Sequence, residues 1–439
     1  MSDHADNQRT VEPSPSDESS DTSRQSRRTF LGGVAGTVGS AALLSGISQA
    51  ATQQAASVDE IIADLSLERK IGLLHQHPGG VIPGLPDYGI PEHVARDGPN
   101  GVRGPDSATA FPTNLIAAAT FDPDLIHEEA AAIGREMKAN DANNLLAPAN
   151  NINRVPVCGR NFEYYSEDPK LSTEMAVEFT KGVQSENVMA TVKHYVANSQ
   201  EYDRGSINAD VRERPLREIY FPAFKAAIQE GNAASVMTAL NKVNGEYCSE
   251  NEFLLRDVLR DDWGFEGYVI SDFFGVHSTV DAALSGHDIE LVSGNHFGDP
   301  LLQAVEDGII SESVVDEKVR HYLRAFEIAG TRGGIGNGAN ATEEHLGIAE
   351  QIVEDGTVLL KNEDDVLPLD ESEIDSLALV GPEPGEFRIA GGQFESLRKP
   401  YRRVTGRDRG PRRRRRVDRN GVVGSVPTDR TGDGLTARQ

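Results

Sequence analysis

The chain has few of the residues that staple a fold, bind metals or span a membrane. Among its 439 residues there are two cysteines, Cys158 and Cys248, and one tryptophan. Ten of the 43 basic residues are lysine. Two cysteines without metal-ligand spacing give neither a disulfide framework nor a zinc site, so both read as buried thiols. Long apolar runs are missing too. The weakly apolar stretch 29–51 is too rich in glycine to be a membrane span. No cysteine follows it, so no lipid anchor is expected. A formal net charge of -26 disfavours nucleic acid as a partner, because phosphate would be repelled.

What is present is acid, unevenly spread. Residues 393–439 hold 14 Lys+Arg against 5 Asp+Glu, which leaves the preceding 392 residues with a balance of -35. An acidic, lysine-poor body fits the strongly hydrated surface of a halophile's protein. The basic tail contains GPRRRRRVDRN and lacks apolar periodicity, so it cannot bury a core. Consecutive CGA arginine codons shifted by one nucleotide become GAC, which encodes aspartate. The tail therefore reads as an out-of-frame translation of an acidic segment, with the slip between about Gln393 and Pro411. A patterned, acidic continuation in another frame of the gene would bear this out.

At the other end, Arg27 and Arg28 precede the weakly apolar run. Twin arginines in that position predict a Tat export signal, a secreted protein and the Tat machinery as a partner.

From residue 57 the pattern is globular. Helices are expected over 58–65, from Ser66 onward, and over 213–230, 313–329 and 342–355. Strand-like runs fall at 189–192, 234–238, 267–270, 357–362 and 376–382. Strands alternating with helices predict an α/β protein, a TIM-like (β/α)8 barrel followed by the start of an incomplete second α/β sandwich domain. The glycine-rich stretch TRGGIGNGANA has no strand before it and no Lys-Ser/Thr after it, so it reads as a linker, not a phosphate cradle. The expected organisation is a disordered N terminus with the signal (1–56), a barrel (57–330), a linker (331–341), a truncated second domain (342–392) and a disordered tail (393–439).

Polar clusters close several strand-like runs, where a parallel barrel carries its site. VISD ends in Asp272 and TVKHY contains Lys193 and His194. CGRNFE contains Arg160, and RDGPNGVR contains Asp97 and Arg103. A carboxylate among cations would stay ionised and could act as a nucleophile. Asp and Arg groups around it could hold hydroxyls. The same residues also admit plainer roles: a strand-end aspartate can cap a helix, and Lys-His can be a solvated loop.

A set of ordered stretches makes the reading specific. They are SLERKIGLL, DGPNGVRG, FPTNL, GRNFEYYSEDP, TVKHYVANSQEYDRG, VRERPLREIYFPAF, VMTALNKVNGEYCSEN, LLRDVLRDDWGFEGYVISDFFGV and VLLKNEDDVLPL. Together they resemble the β-glucosidase type of glycoside hydrolase family 3, over about residues 57–392. The resemblance implies retaining hydrolysis of terminal β-glucosyl or xylosyl residues, with Asp272 as nucleophile. It implies that Asp97, Arg103, Arg160, Lys193, His194, Arg204 and Met237 hold the terminal sugar. Lys193 and His194 are also expected to keep Asp272 charged, and Glu163 to orient Arg160. The substrate is expected to be a β-linked oligosaccharide or aryl glycoside, with no metal and no organic cofactor. Two positions depart from the family pattern: Phe273 stands where many members have tryptophan, and Leu240 where many have tyrosine. The family's acid/base glutamate belongs to the second domain. Glu383, Glu386 and Glu395 lie outside any matching context, so none is assigned that role. A sugar-binding remnant without hydrolysis is the alternative.

Overall fold

The structure, a computed structural model, describes residues 56–104, 108–370 and 372–374. The expected export signal, the strand expected over 376–382, the three late glutamates and the arginine-rich tail lie outside the described residues.

Helices start where the sequence supplies their caps. Asp122 and Asp168 each precede a proline. Asp122 accepts from the N–H groups of Asp124 and Leu125, and Asp168 from that of Lys170. An acidic cap followed by proline suits a helix start, because the first N–H groups have no partner within the helix. The helices that follow, Pro123–Ala139 and Pro169–Ser185, bury Leu125, Ile126, Ile133 and Met137 on one side and Met175, Phe179 and Val183 on the other. They pack against each other and against the sheet they enclose.

The strands are β1 (Val81–Ile82), β2 (His93–Asp97), β3 (Asn144–Leu146), β4 (Met189–Tyr195), β5 (Asn208–Ala209), β6 (Ser235–Thr238), β7 (Lys242–Val243), β8 (Glu246–Tyr247) and β9 (Tyr268–Ser271). The main sheet has the order β1-β2-β3-β4-β6-β9. From β2 to β9 its pairs are parallel, and β4, β6 and β9 are buried throughout, as expected for strands covered by helices on one side and filled core on the other. The pairing continues past β9. Ser271 N donates to Ile289 O at 3.0 Å, Glu290 N to Leu74 O at 2.9 Å, and His77 N to Val81 O, in β1, at 2.8 Å. The path of backbone bonds thus returns to its first strand, and the sheet curls on itself.

This departs from an all-parallel barrel at one place. β1 runs antiparallel to β2 and to the segment ending at His77. Only Pro78, Gly79 and Gly80 separate His77 from Val81, and both glycines have positive φ (101° and 80°). So short a turn can join antiparallel strands but cannot hold the crossover that parallel pairing needs.

The linker residues 331–341 form no helix or strand. Helix Glu343–Gly356 follows, and Ile348, Ala349 and Ile352 on it join the core formed by Ala117, Ile133 and their neighbours. The strand expected over 357–362 is not formed. Val358, Leu359 and Leu360 there are 65%, 60% and 91% exposed, and an unpaired apolar run has no ladder partner to hold it extended. Among the described residues, no helix is long and apolar enough to cross a membrane.

Candidate active site

Five consecutive strands of the curled sheet end around one small hollow. Asp97 closes β2, Leu146 closes β3, Met237 comes from β6, and Asp272 follows β9 directly. β4 contributes both Lys193 and His194. Neighbours on a regular strand face opposite sides. Here the register between β4 and β6 shifts between Val192 and Tyr195, and the irregularity lets both side chains line the hollow. Arg160, Arg204 and Phe273 complete the wall from loops.

The charges are wired together. Lys193 Nζ and Arg103 each bond to Asp97, one on either carboxylate oxygen. Arg103 Nη2 also donates to Glu163 at 2.7 Å. Glu163 accepts two further bonds from Arg160, at 2.9 and 2.5 Å. Arg160 lies 4.0 Å from Glu201, which accepts from Arg204 Nη1 at 2.7 Å. Charge therefore alternates in sign along Lys193, Asp97, Arg103, Glu163, Arg160, Glu201 and Arg204, so that each buried ion faces an opposite one. Glu163 and Arg103 are not among the lining residues; both brace the wall from behind. Glu163 orients Arg160, as the sequence led us to expect.

Asp272 sits at the edge of this ion-pair chain, without a direct cationic partner among the described residues. Its Oδ1 accepts from Phe273 N at 2.7 Å, and its Oδ2 faces His194 Nε2 at 3.9 Å. Burial raises its pKa above the ordinary aspartate value, although Arg160, the Phe273 N–H, Lys193 and Arg204 oppose the shift. The nearby cations do lower it, as expected, but burial outweighs them. His194 does not add to their effect. Burial, reinforced by Arg160, Lys193, Arg204 and Arg103, pushes its pKa well below the usual histidine value. Its Nδ1 lies 3.3 Å from Asn151 Oδ1, an acceptor, so the ring's proton belongs on Nδ1 and Nε2 can accept a bond from a ligand hydroxyl. Asp97 behaves in the opposite way. Burial alone would raise it, but Lys193 and Arg103 outweigh burial and hold it at about 2.

Of the eight residues singled out in the sequence, seven line the hollow and Arg103 supports it. Sequence reasoning missed Leu146, Glu201 and Asn151. Glu201 stands in TVKHYVANSQEYDRG, where an acid between Lys193 and Arg204 was a readable signal. Asn151 carried none. Leu240 lies beside Gly275, in the turn that Gly275 N closes on Asp272 O at 2.9 Å. Among the described residues, no cluster of histidine, cysteine, aspartate and glutamate could hold a metal ion.

A barrel mouth lined by fixed carboxylates and guanidiniums, with one carboxylate left unpaired, is a site for a small ligand rich in hydroxyls. Comparison narrows the class. Residues 86–325 match the glycosyl hydrolase family 3 N terminal domain. The chain is 39% identical over 354 residues to a β-glucosidase of Rhizobium radiobacter, covering 78% of this chain and 43% of that protein. It is 38% identical over 346 residues to thermostable β-glucosidase B of Acetivibrio thermocellus, covering 74% and 45%. Among solved structures it resembles β-glucosidase 3B from Thermotoga neapolitana in complex with glucose, at 38% identity and a TM-score of 0.66, covering 72% of this chain and 48% of that one. It also resembles DesR, a β-glucosidase from Streptomyces venezuelae in complex with D-glucose, at 36% identity and a TM-score of 0.66, covering 71% and 43%. The chain belongs to glycosyl hydrolase family 3. It spans less than half the length of these relatives.

Proposed function

We propose that this chain carries the nucleophile-bearing barrel of a retaining β-glucosidase, acting on terminal non-reducing β-glucosyl or xylosyl residues. The observation that carries the reading is Asp272. Among the described residues it is the one lining carboxylate outside the ion-pair chain, at the end of β9, with Oδ2 facing His194. In the first step Oδ2 would attack the anomeric carbon while the bond to the leaving oxygen breaks, giving a glycosyl ester of Asp272. In the second, water would attack the same carbon, the ester bond would break, and the sugar would leave with its configuration retained. Asp97, held ionised by Lys193 and Arg103, would accept from outer hydroxyls. His194 Nε2 would accept from a hydroxyl between itself and Asp272.

The leaving oxygen needs a proton. Asp97, at a pKa of about 2, has none to give at neutral pH, and Glu163 is sealed behind the wall by three N–H bonds. The described lining residues thus supply a nucleophile without a general acid, and this favours the second reading, a barrel that binds sugar and hydrolyses it poorly. General acid catalysis contributes about 10²–10⁴-fold. The test is leaving-group dependence. 2,4-Dinitrophenyl β-glucoside, whose leaving group needs no proton, should be turned over with a burst, and cellobiose slowly or not at all. Ordinary rates on cellobiose would show that a carboxyl of this chain acts as the acid. Glucose binding with no turnover of either substrate would leave the binding reading.

A further inference from the structure

Glu136 lies on helix Pro123–Ala139, outside the hollow, and is fully buried. Its side chain accepts four bonds from two parts of the chain. Two come from Thr109, through its N–H at 2.9 Å and its hydroxyl at 2.7 Å. The other two come from the region after the glycine-rich linker: Ala341 N at 2.9 Å, and His345 Nδ1 at 2.9 Å. Arg135 Nε approaches His345 Nε2 at 3.4 Å as a donor, so the proton of the ring sits on Nδ1 and points at Glu136. One helical turn on, Asn140 Nδ2 binds both Glu136 O and Asn340 Oδ1.

Thr109 in turn supports the loop that leaves β2. A Cβ at Gly101 would stand 2.2 Å from Thr109 O, and Gly101 has a φ of +109°, so the two backbones lie in direct contact and only glycine fits. Phe111 N donates to Asn100 O at 3.1 Å, and Arg103 N donates to Asp97 O at 2.8 Å. These bonds set the loop that aims the Arg103 guanidinium at Asp97 and Glu163.

We infer that Glu136 is a positioning residue for the sugar pocket: one buried carboxylate fastens the segment Asn340–His345 to the loop that aims Arg103 at Asp97. The inference rests on the reading of Asp97 as a sugar-holding group. A carboxylate bridging two segments makes the position of the loop depend on whether Thr342 and the helix after it are seated. The site and the segment following the linker are then one mechanical unit, and a change in how that segment packs is felt at the outer hydroxyls of the sugar.

The test uses the full chain, with glucose as the probe. Glucose affinity is measured by calorimetry for the parent, Glu136→Ala, Glu136→Gln, Thr109→Val and Asp97→Ala, together with hydrogen exchange of peptides covering 96–104 and 189–195. Glu136→Ala is expected to weaken glucose binding about tenfold, the effect of roughly one hydrogen bond to a charged group, with a smaller loss for Glu136→Gln. Exchange should rise in 96–104 and stay unchanged in β4. Thr109→Val keeps the backbone bond to Glu136, so it folds if Glu136→Ala does not, and it should show the same pattern at smaller size. Unchanged affinity in the Glu136 and Thr109 variants, or a rise in exchange spread equally over both peptides, overturns the inference. If Asp97→Ala leaves affinity unchanged, the failure belongs to the sugar-pocket reading instead.

Discussion

Replacing Glu163 with alanine is expected to unfasten the wall of the site without removing a contact to ligand. Glu163 is fully buried and accepts three N–H bonds from two guanidiniums. The side chains of Arg103 and Arg160 are 10% and 9% exposed, so water cannot replace what they lose. Removing one partner of a buried ion pair costs about 3–5 kcal/mol, because the remaining charge stays desolvated. Here each cation keeps a second anion, Asp97 for Arg103 and, at 4.0 Å, Glu201 for Arg160. The loss should therefore fall near the low end, about 3 kcal/mol for Glu163→Ala. Glu163→Gln retains the shape and one acceptor oxygen, and should lose about 1–2 kcal/mol. Equilibrium urea unfolding can be followed through Trp263, the single tryptophan, which is 6% exposed. A loss below about 1 kcal/mol for the alanine variant, the size expected of a solvated surface pair, would refute the argument that the wall is a dry ion-pair chain.

Among the described residues neither carboxylate oxygen of the buried Glu129 has a hydrogen-bond partner, and burial pushes its pKa up to about 8. Its folded value lies above the unfolded one, so stability should fall as pH rises from about 4.5 towards 8. Glu129→Met should remove that slope, gaining on the order of 2 kcal/mol between pH 5 and pH 7 relative to the parent; parallel pH profiles of the two proteins in urea would contradict this. Arg160 is the largest of the influences that oppose the raised pKa of Asp272. In Arg160→Leu the acid limb of inactivation by a 2-fluoroglycoside should move to higher pH, and an unmoved limb would show that Arg160 does not act on the nucleophile. Arg27→Lys with Arg28→Lys should leave the protein in the cytoplasm of its host; undiminished secretion would mean that the twin arginines are not read.

Much of the site was legible because its residues end strands. In a parallel sheet the run of buried apolar residues is readable, and the first polar residues after it must stand at the mouth; Lys193, His194 and Asp272 were found in this way, and Asp97 in a charged turn that the family resemblance picked out. The helix starts at Asp122 and Asp168 carry their own signal, an acid before a proline. The reversal of β1 was not legible, because two residues are too few to show a period and the cause is a three-residue turn. The run at 357–362 has strand composition, yet composition does not provide a neighbouring strand. The direction of the Asp272 shift also escaped sequence reasoning. Counting cations near an aspartate gives the sign of their effect but not the size of the burial that opposes it, and here burial is the larger. Glu136 was silent for a related reason: its partners lie 27 and 209 residues away.

The central claim is that Asp272 forms a bond to the sugar. The direct measurement is peptide mapping by mass spectrometry after incubation of the full chain with 2,4-dinitrophenyl 2-deoxy-2-fluoro-β-glucoside, whose leaving group departs without a proton. The account expects a single fluoroglucosyl adduct on the peptide containing Val269 to Phe274, absent from a folded Asp272→Asn variant. An adduct on Asp97, Glu163, Glu201 or any other carboxylate, or none on a chain that binds glucose, would contradict it.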